Sequence, residues 1–211
     1  DRAYSFPISS DENNDVLWLS TGRDLLALSA GAEYSLRGGI EKPITPTNVT
    51  ISPQTDHGAA EVRPVQVRKE IVFVQGAGKK LRGFAYRYEI DGYDASDLLA
   101  LAGHLVDRDP VTGEQLAIVD ACYQREPHGM LWALRSDGKL LSCTLDRLQG
   151  VTGWAGPHDV GGFVESICTV PAASADVVHL AVRRTVDGVT RRFRESLQMT
   201  TADTAASARY G

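Results

Sequence analysis

The sequence lacks the features of several specialised protein classes. Its 211 residues include three cysteines and no Cys-x-x-Cys pair, so neither a disulfide scaffold nor a cysteine-rich metal site is expected. No apolar run approaches the roughly 20 residues of a membrane helix, and the N-terminus has neither Met nor a signal-peptide pattern. The net charge of −5 argues against a dedicated nucleic-acid-binding protein, which would carry a basic face. We expect a globular fragment of a longer protein, from a reducing compartment.

The cysteines themselves fit a structural role. Cys122, Cys143 and Cys168 lie among apolar or β-branched neighbours. Free cysteine usually behaves as a small buried hydrophobic residue. All three are therefore predicted to be reduced thiols in the core.

What the sequence does contain is a repeated β-hairpin pattern. Each copy has an apolar strand, a glycine-containing turn and a second apolar strand, and Asp-Gly turns such as Asp187-Gly188 are strong hairpin signals because type I′ turns need positive φ at both central residues. The predicted strand pairs are 16–20 with 25–28, 71–75 with 81–86, 130–135 with 140–143, and 177–186 with 189–193.

The hairpins recur at a regular interval. Their turn glycines, Gly22, Gly78, Gly138 and Gly188, are separated by about 50–60 residues, the range of propeller repeats with insertions. Further strands are predicted at 32–36, 49–52, 62–67, 117–123 and 164–170, which gives about four strands per unit, as in a propeller blade. The predicted fold is mainly β, with propeller-like blades of antiparallel hairpins, and a β-sandwich is the alternative.

One segment predicts a helix. Residues 94–105 open with capping residues and place Leu98, Leu101, Ala102 and Leu105 at helical spacing. The resulting domain prediction is a β-rich propeller-like domain over 1–197 with one short helix. Residues 198–211, rich in Thr, Ala and Ser without periodicity, are predicted to be an extended or flexible tail.

No catalytic, cofactor-binding or metal-ligating residue is predicted. The stretch 76–80 resembles a phosphate-binding loop, but the required first glycine and the Ser/Thr after the lysine are missing, and a strand follows it. Asp91, Asp94 and Asp97 are three residues apart, whereas a calcium loop needs alternate ligands and a glutamate at its twelfth position. The five histidines form no recognisable motif, and His158 is predicted to lie in a loop. We therefore predict a protein that is not an enzyme and holds no cofactor.

The best electrostatic candidate is a cluster of arginines near the end of the chain. The cluster comprises Arg183, Arg184, Arg191, Arg192 and Arg194, on the two arms of one predicted hairpin. It could contact nucleic acid or an acidic partner. The alternative is a solvated strand face whose charges protect a sheet edge from aggregation.

The order of several short segments resembles a known family. The segments are LWLSTG (17–22), GAEYSL (31–36), ITPTN (44–48), QTDHG (54–58), VRPV (62–65), FVQ (73–75), KLR (80–82), FAY (84–86), DGY (91–93), QREP (124–127) and LWALRSDG (131–138). Together they are similar to the β-rich nozzle or hub proteins in the tails of short-tailed bacteriophages, also called packaged-DNA stabilisation proteins.

The resemblance implies a structural virion protein. Such a protein would be made in the bacterial host cytoplasm and would form a homo-oligomeric β-propeller ring in the virion tail. The ring would contact portal, adaptor or other tail proteins and would guide or seal the channel through which packaged DNA passes, without sequence-specific binding or membrane insertion. The alternative is a propeller-type binding module for a glycan or another tail protein, favoured if Tyr34, Tyr93, Trp132 and Trp154 form an exposed cluster. A propeller hydrolase such as a sialidase is not expected, because Ser-x-Asp-x-Gly boxes are absent.

Overall fold

The protein is built mainly of β-strands. The computed structural model describes Ser5, Ile8 and residues 14–39, 43–147 and 149–197, so the predicted tail at 198–211 lies outside the described residues. The chain divides into two compact units, Asp1–Ala121 and Cys122–Gly211. Within the described residues the strands form four antiparallel sheets, and in each sheet neighbouring strands are consecutive in the chain. The prediction of a mainly-β fold made of antiparallel hairpins is confirmed.

Each sheet is an up-and-down meander. Sheet I contains β1 (Val16–Thr21), β2 (Leu25–Ser29), β3 (Glu33–Arg37) and β4 (Thr50–Thr55). Sheet II contains β5 (Val65–Val67), β6 (Glu70–Val74), β7 (Leu81–Arg87) and β8 (Gly92–Asp97). Sheet III contains β9 (Ile118–Gln124), β10 (Met130–Arg135), β11 (Leu140–Asp146) and β12 (Val151–His158). Sheet IV contains β13 (Phe163–Val170), β14 (Val177–Val186) and β15 (Val189–Leu197).

Each unit has an apolar core between two sheets. In the first unit, sheets I and II pack through a cluster that includes Leu26, Leu28, Phe73 and Phe84, with Trp18 at its margin. The cluster in the second unit joins sheets III and IV and comprises Cys122, Trp132, Leu134, Leu140, Val164, Ile167, Val178, Leu180 and Val182. Alternate residues along the strands supply these side chains, as the period-two geometry of a strand requires.

The turn between the second and third strands of a sheet also bonds to the chain that follows. In three places a backbone carbonyl of this turn, or of the residue just before it, accepts a hydrogen bond from a backbone N–H at or near the start of the next sheet. The acceptor and donor residues are Ser29 with Ala59 at 2.8 Å and Gly78 with Ile118 at 2.8 Å, both in the first unit, and Gly138 with Val164 at 3.1 Å in the second unit. We call this contact the turn coupling.

Two of these turns require glycine. Gly78 and Gly138 have φ of 74° and 77°, in the left-handed region that glycine tolerates best. A Cβ at Gly138 would lie 2.7 Å from the ring of Phe163, and one at Gly78 would lie 2.7 Å from the Cβ of Ala117. Glycine at positions 78 and 138 therefore reflects close approach of the following chain as well as turn conformation, whereas Gly22 lies in the turn between β1 and β2 and has no positive φ.

The helix predicted over 94–105 is wrong. Its first residues belong to β8, which pairs with β7 from Arg87↔Gly92 to Arg82↔Asp97. The rest forms turns and a short 3₁₀ helix, Gly103–Val106, and a second 3₁₀ helix spans Tyr88–Ile90. Leu101, predicted to be on the apolar face, is 99% exposed. Pairing with β7 adds a complete ladder to sheet II, and this tertiary gain outweighs the local helix propensity of a few leucines and alanines.

Two further sequence predictions need correction. Cys122 and Cys143 are buried as expected, but Cys168 is exposed because it lies on the face of sheet IV opposite the core. His158 is not in a loop: it ends β12, a strand missed because its glycines and Pro157 weaken strand propensity. Among the described residues no helix has the length and apolar character needed to cross a membrane.

Candidate functional site

The stretch that resembles a phosphate loop is a hairpin turn. Gly78 N–H donates to the Gln75 carbonyl at 2.7 Å, and Gln75 N–H donates to the Lys80 carbonyl at 2.9 Å. The Lys80 ammonium lies 3.5 Å from Asp97. Because β7 follows directly, this stretch is the strand-to-strand turn that the sequence predicted, and not the strand-to-helix turn of a phosphate-binding loop.

The acidic stretch 91–97 is divided between a turn and a strand. Asp91 follows the Tyr88–Ile90 3₁₀ helix with φ of 43° and accepts a hydrogen bond from the Tyr86 hydroxyl at 2.5 Å. Asp94 and Asp97 are in β8, where Asp97 accepts the Leu99 N–H at 3.0 Å. In the described part of the chain, no group of three or more His, Cys, Asp or Glu side chains is placed to hold a metal ion.

A serine–histidine pair connects two strands of sheet III. His158 Nε2 and Ser142 Oγ are 2.9 Å apart, and the imidazole lies beside the indole of Trp132. Ser142 is only 4% exposed, whereas a nucleophile must be reached by its substrate. The pair therefore serves as a cross-strand hydrogen bond.

The arginine cluster lies on the β14–β15 hairpin of sheet IV. Arg183 faces Arg192 and Arg184 faces Arg191 across the two strands, an arrangement that is unfavourable unless carboxylates intervene. Glu165 accepts two hydrogen bonds from Arg192, at 2.7 and 3.2 Å, and its carboxylate lies 3.6 Å from Arg183.

Carboxylates neutralise only part of this cluster. Hydrogen bonding to Arg192 lowers the pKa of Glu165, and Arg184 pairs with Glu195. Arg191 and Arg194 form no ion pair within the described residues. The hairpin surface thus carries both ion pairs and excess positive charge, the latter toward β15. This result is intermediate between the two hypotheses drawn from the sequence, a basic binding patch and a solvated strand face.

The end of this hairpin projects beyond its sheet. The first residue of β13, Phe163, pairs with Arg183, so residues 184–191 have no β13 neighbour. At about 3.3 Å per residue each arm extends roughly 10 Å further. The tip is a turn with positive φ at both Asp187 (51°) and Gly188 (76°), as predicted, and Val186 and Val189 beside it are 41% and 52% exposed. We call residues 184–191 the arm.

A cleft of about 1040 Å³ with a mixed polar and apolar lining opens in the first unit. Among its lining residues, Arg37 Nε donates to Asp24 at 2.9 Å, and Gln54 Nε2 donates to Ser35 Oγ at 3.0 Å. The Gln54 side-chain oxygen accepts the Tyr93 N–H at 2.8 Å. Burial raises the pKa of Tyr93 to about 12, and the neighbouring Asp24 carboxylate adds to the rise. The lining thus combines the Arg37–Asp24 ion pair with hydroxyl and amide groups, the charged Arg23 and Asp91, and apolar side chains such as Leu25 and Leu36.

Two buried carboxylates hold loops in place, one in each unit. Glu33 is fully buried, and its Oε2 accepts the Thr55 hydroxyl at 2.5 Å and the His57 N–H at 3.3 Å. Burial raises the pKa of Glu33 and lowers that of His57. The Asp176 carboxylate accepts the Arg125 N–H at 2.7 Å, and this backbone hydrogen bond lowers the pKa of Asp176. Sequence reasoning missed both residues because their partners are 22 to 51 positions away.

The aromatic residues proposed as a binding cluster do not form an exposed surface. Tyr34, Tyr93 and Trp132 are each 5% exposed, and Trp154 is half-buried. Trp18 packs against the first core and donates its indole N–H to the Ala60 carbonyl at 2.9 Å. These positions indicate packing between sheets.

Comparison with known proteins adds no family assignment. No model of a protein family matches the chain, and no curated protein matches it.

Proposed function

We propose that this chain is a non-enzymatic structural module of a bacteriophage tail hub or nozzle, in which the four sheets are propeller blades around a channel for packaged DNA. The turn coupling carries the proposal. Propeller blades are four-stranded sheets, and a repeated bond from the turn of one sheet to the chain that starts the next would link successive sheets of that kind. The resemblance in segment order supplies the virion context.

The distribution of polar groups supports a structural role. The buried carboxylates Glu33 and Asp176 fasten loops, and Ser142 with His158 joins two strands. In the described part of the chain, five aromatic side chains are buried, namely Tyr34, Phe73, Phe84, Tyr93 and Trp132. In this proposal, function resides in packed sheets and in the surfaces they present to neighbouring subunits, to other tail proteins and to DNA that passes without sequence-specific contacts.

Purified virus particles test this proposal directly. Particles from the source culture are banded by density, and peptides of this chain are sought by mass spectrometry in the DNA-filled band. We expect the chain at a fixed stoichiometry in that band, and gold-labelled antibody at the tail in electron micrographs. Recovery of the protein only outside the particles would refute the virion role.

A second candidate, a propeller-type glycan-binding module, is favoured by the cleft in the first unit, whose mixed lining includes Ser35, Ser52 and Gln54. Its hydroxyl and amide groups can bind sugar hydroxyls, which are uncharged donors and acceptors. Labelled protein is applied to a glycan array, and any bound glycan is titrated against the wild type and Ser52→Leu, which narrows the cleft. Binding that Ser52→Leu weakens would support this candidate, whereas an array without signal would refute it.

A further inference from the structure

Residues 56–60 lead from sheet I to sheet II and are bonded to both. The Ala59 N–H donates to the Ser29 carbonyl at 2.8 Å, which is the turn coupling of sheet I. On the side of sheet II, the Gly58 carbonyl accepts the Gly76 N–H at 3.0 Å. These bonds fix the path of the chain between the two sheets. We call residues 56–60 the connector.

The Glu33 side chain fastens the beginning of the connector from the core side of sheet I. Glu33 pairs with Leu28 of β2, a residue of the first core, and directly opposite residues lie on the same face of a sheet. Glu33 is fully buried, and its Oε2 accepts the Thr55 hydroxyl at 2.5 Å and the His57 N–H at 3.3 Å. Its Oε1 is also buried and has no hydrogen-bond partner among the described residues.

The charged groups near Glu33 do not compensate its charge. Across the part of the chain that the structure describes, Glu33 forms no ion pair. Burial raises the pKa of Glu33, and the Asp56 carboxylate of the connector adds to the rise, although the hydrogen bonds to Glu33 reduce it. The His57 imidazole, whose pKa burial lowers, faces charged groups of both signs from the connector and from sheet II with its turn, namely Asp56, Lys80, Arg82 and Asp94.

We propose that the neutral carboxyl of Glu33 holds the connector closed, and that the connector opens locally when Glu33 ionises. In the closed connector an ionised Glu33 would keep one charged oxygen buried without a partner, which is costly away from water. Protonation of Oε1 removes the charge, and an unpaired hydroxyl costs less than an unpaired charge. Opening lets water reach the carboxylate but breaks the bonds to Thr55 and His57. The turn coupling between sheets I and II thus loosens as the pH rises, while the strands of both sheets stay paired.

Opening should increase with pH because the open and closed connectors bind protons differently. In the open connector, hydrated Glu33 titrates near the ordinary pKa of 4.5, whereas its pKa in the closed connector is higher. Between these two pKa values only the closed connector keeps the proton, so the opening equilibrium rises by up to about tenfold per pH unit and then levels off. His57 acts in the opposite direction, because its lowered pKa in the closed connector favours opening as the pH falls below 6.5.

Amide hydrogen exchange of the full chain, followed by NMR between about pH 5 and 8, tests the proposal. Division of each exchange rate by the intrinsic rate at the same pH gives the opening equilibrium of that amide. The Ala59 N–H reports on the connector, and the paired amides of β6 report on unfolding of the same unit. The Val164 N–H, which forms the turn coupling in the second unit, reports on the same kind of bond at a distant place in the chain.

We expect Ala59 to open more readily than β6 at every pH, with an opening equilibrium that rises by up to about tenfold per pH unit, and Val164 to show no such rise. Glu33→Gln carries no charge and keeps an acceptor oxygen, so it should remove the rise at Ala59. His57→Gln is the matched control: it keeps the backbone N–H that bonds Glu33, and should retain the rise while removing the opening at low pH. If Glu33→Gln does not fold, the profiles of the wild type and of His57→Gln decide.

Three results would overturn the proposal. The first is a wild-type Ala59 whose opening does not rise with pH, and the second is a rise that persists in Glu33→Gln. The third is one common opening equilibrium for Ala59 and β6, which would show that the whole unit unfolds rather than the connector alone. None of them bears on recovery of the chain from virus particles, so the connector and the virion role are tested separately.

Discussion

Replacing Gly138 by alanine should destabilise the protein more than the same replacement at Gly188. Both glycines are at turns between the second and third strands of a sheet, with nearly equal φ of 77° and 76°. The added methyl would lie 2.7 Å from the Phe163 ring and 3.0 Å from the Val164 nitrogen at Gly138, but would meet nothing within 4 Å at Gly188. Comparison of the two alanine variants therefore separates the cost of backbone strain from the cost of steric contact with the following chain.

The magnitudes follow from these two terms. A left-handed conformation costs a residue with a Cβ about 1–2 kcal/mol, and this cost applies to both variants. Overpacking adds about 1–3 kcal/mol at Gly138 alone, because Phe163 must move and the turn coupling to Val164 must lengthen. We expect Gly188→Ala to lower the free energy of unfolding by about 1–2 kcal/mol and Gly138→Ala by about 2–5 kcal/mol.

Urea unfolding followed by tryptophan fluorescence measures the difference. Trp132 is buried in the core of the second unit, so its emission should shift when that unit unfolds. Gly78→Ala, in the first unit, would meet the Ala117 Cβ at 2.7 Å and should behave like Gly138→Ala when unfolding is followed through Trp18, which packs against the core of that unit. Equal losses at Gly138 and Gly188 would show that the close approach of the following chain contributes nothing.

Three further predictions concern single side chains. Burial raises the folded-state pKa of Glu33 above the ordinary value of 4.5, so ionisation of Glu33 should reduce stability as the pH rises from that ordinary value through the folded-state pKa. Glu33→Gln should flatten this part of the stability–pH curve measured by urea unfolding, and an unchanged slope would contradict the assignment. Asp137→Ala leaves Arg135, only 6% exposed, without this partner. It should lower the free energy of unfolding by about 2–3 kcal/mol, less than the loss of a fully buried ion pair because Asp137 keeps some exposure. Asp187→Ala at the exposed arm tip is the control. Cys168 alone among the three thiols should react rapidly with Ellman's reagent under native conditions, since Cys122 and Cys143 are buried; Cys168→Ser should abolish the fast phase, and two or three fast thiols would contradict the burial.

Local sequence signals predicted most of the hairpins. The pairs β1–β2, β6–β7, β10–β11 and β14–β15 were predicted to within a few residues, because alternating apolar residues and a glycine turn specify a hairpin over a short stretch of chain. The Asp187-Gly188 turn has the expected positive φ at both positions. Periodicity and turn chemistry are local properties, so they can be read without knowledge of the rest of the fold.

Local signals failed where a partner strand decided the outcome. Residues 94–97 had helix-capping features but became part of β8, since pairing with β7 satisfies their backbone groups. In β12, Gly153, Gly156 and Pro157 gave no strand signal, yet Ala155 and Trp154 pair with Ser142 and Cys143 of β11. Strand propensity depends on such neighbours more than helix propensity does.

The amino-acid sequence by itself determined that this is a mainly-β protein of repeated hairpins, because turn residues and apolar alternation act within a few positions of one another. Only the tertiary structure decided which carboxylates hold loops and which cysteine is exposed. Glu33 accepts a hydrogen bond from Thr55, 22 residues away in the chain, and Asp176 accepts one from the backbone N–H of Arg125, 51 residues away. Contacts at such separations depend on how sheets pack and register, and no short stretch of sequence contains that information.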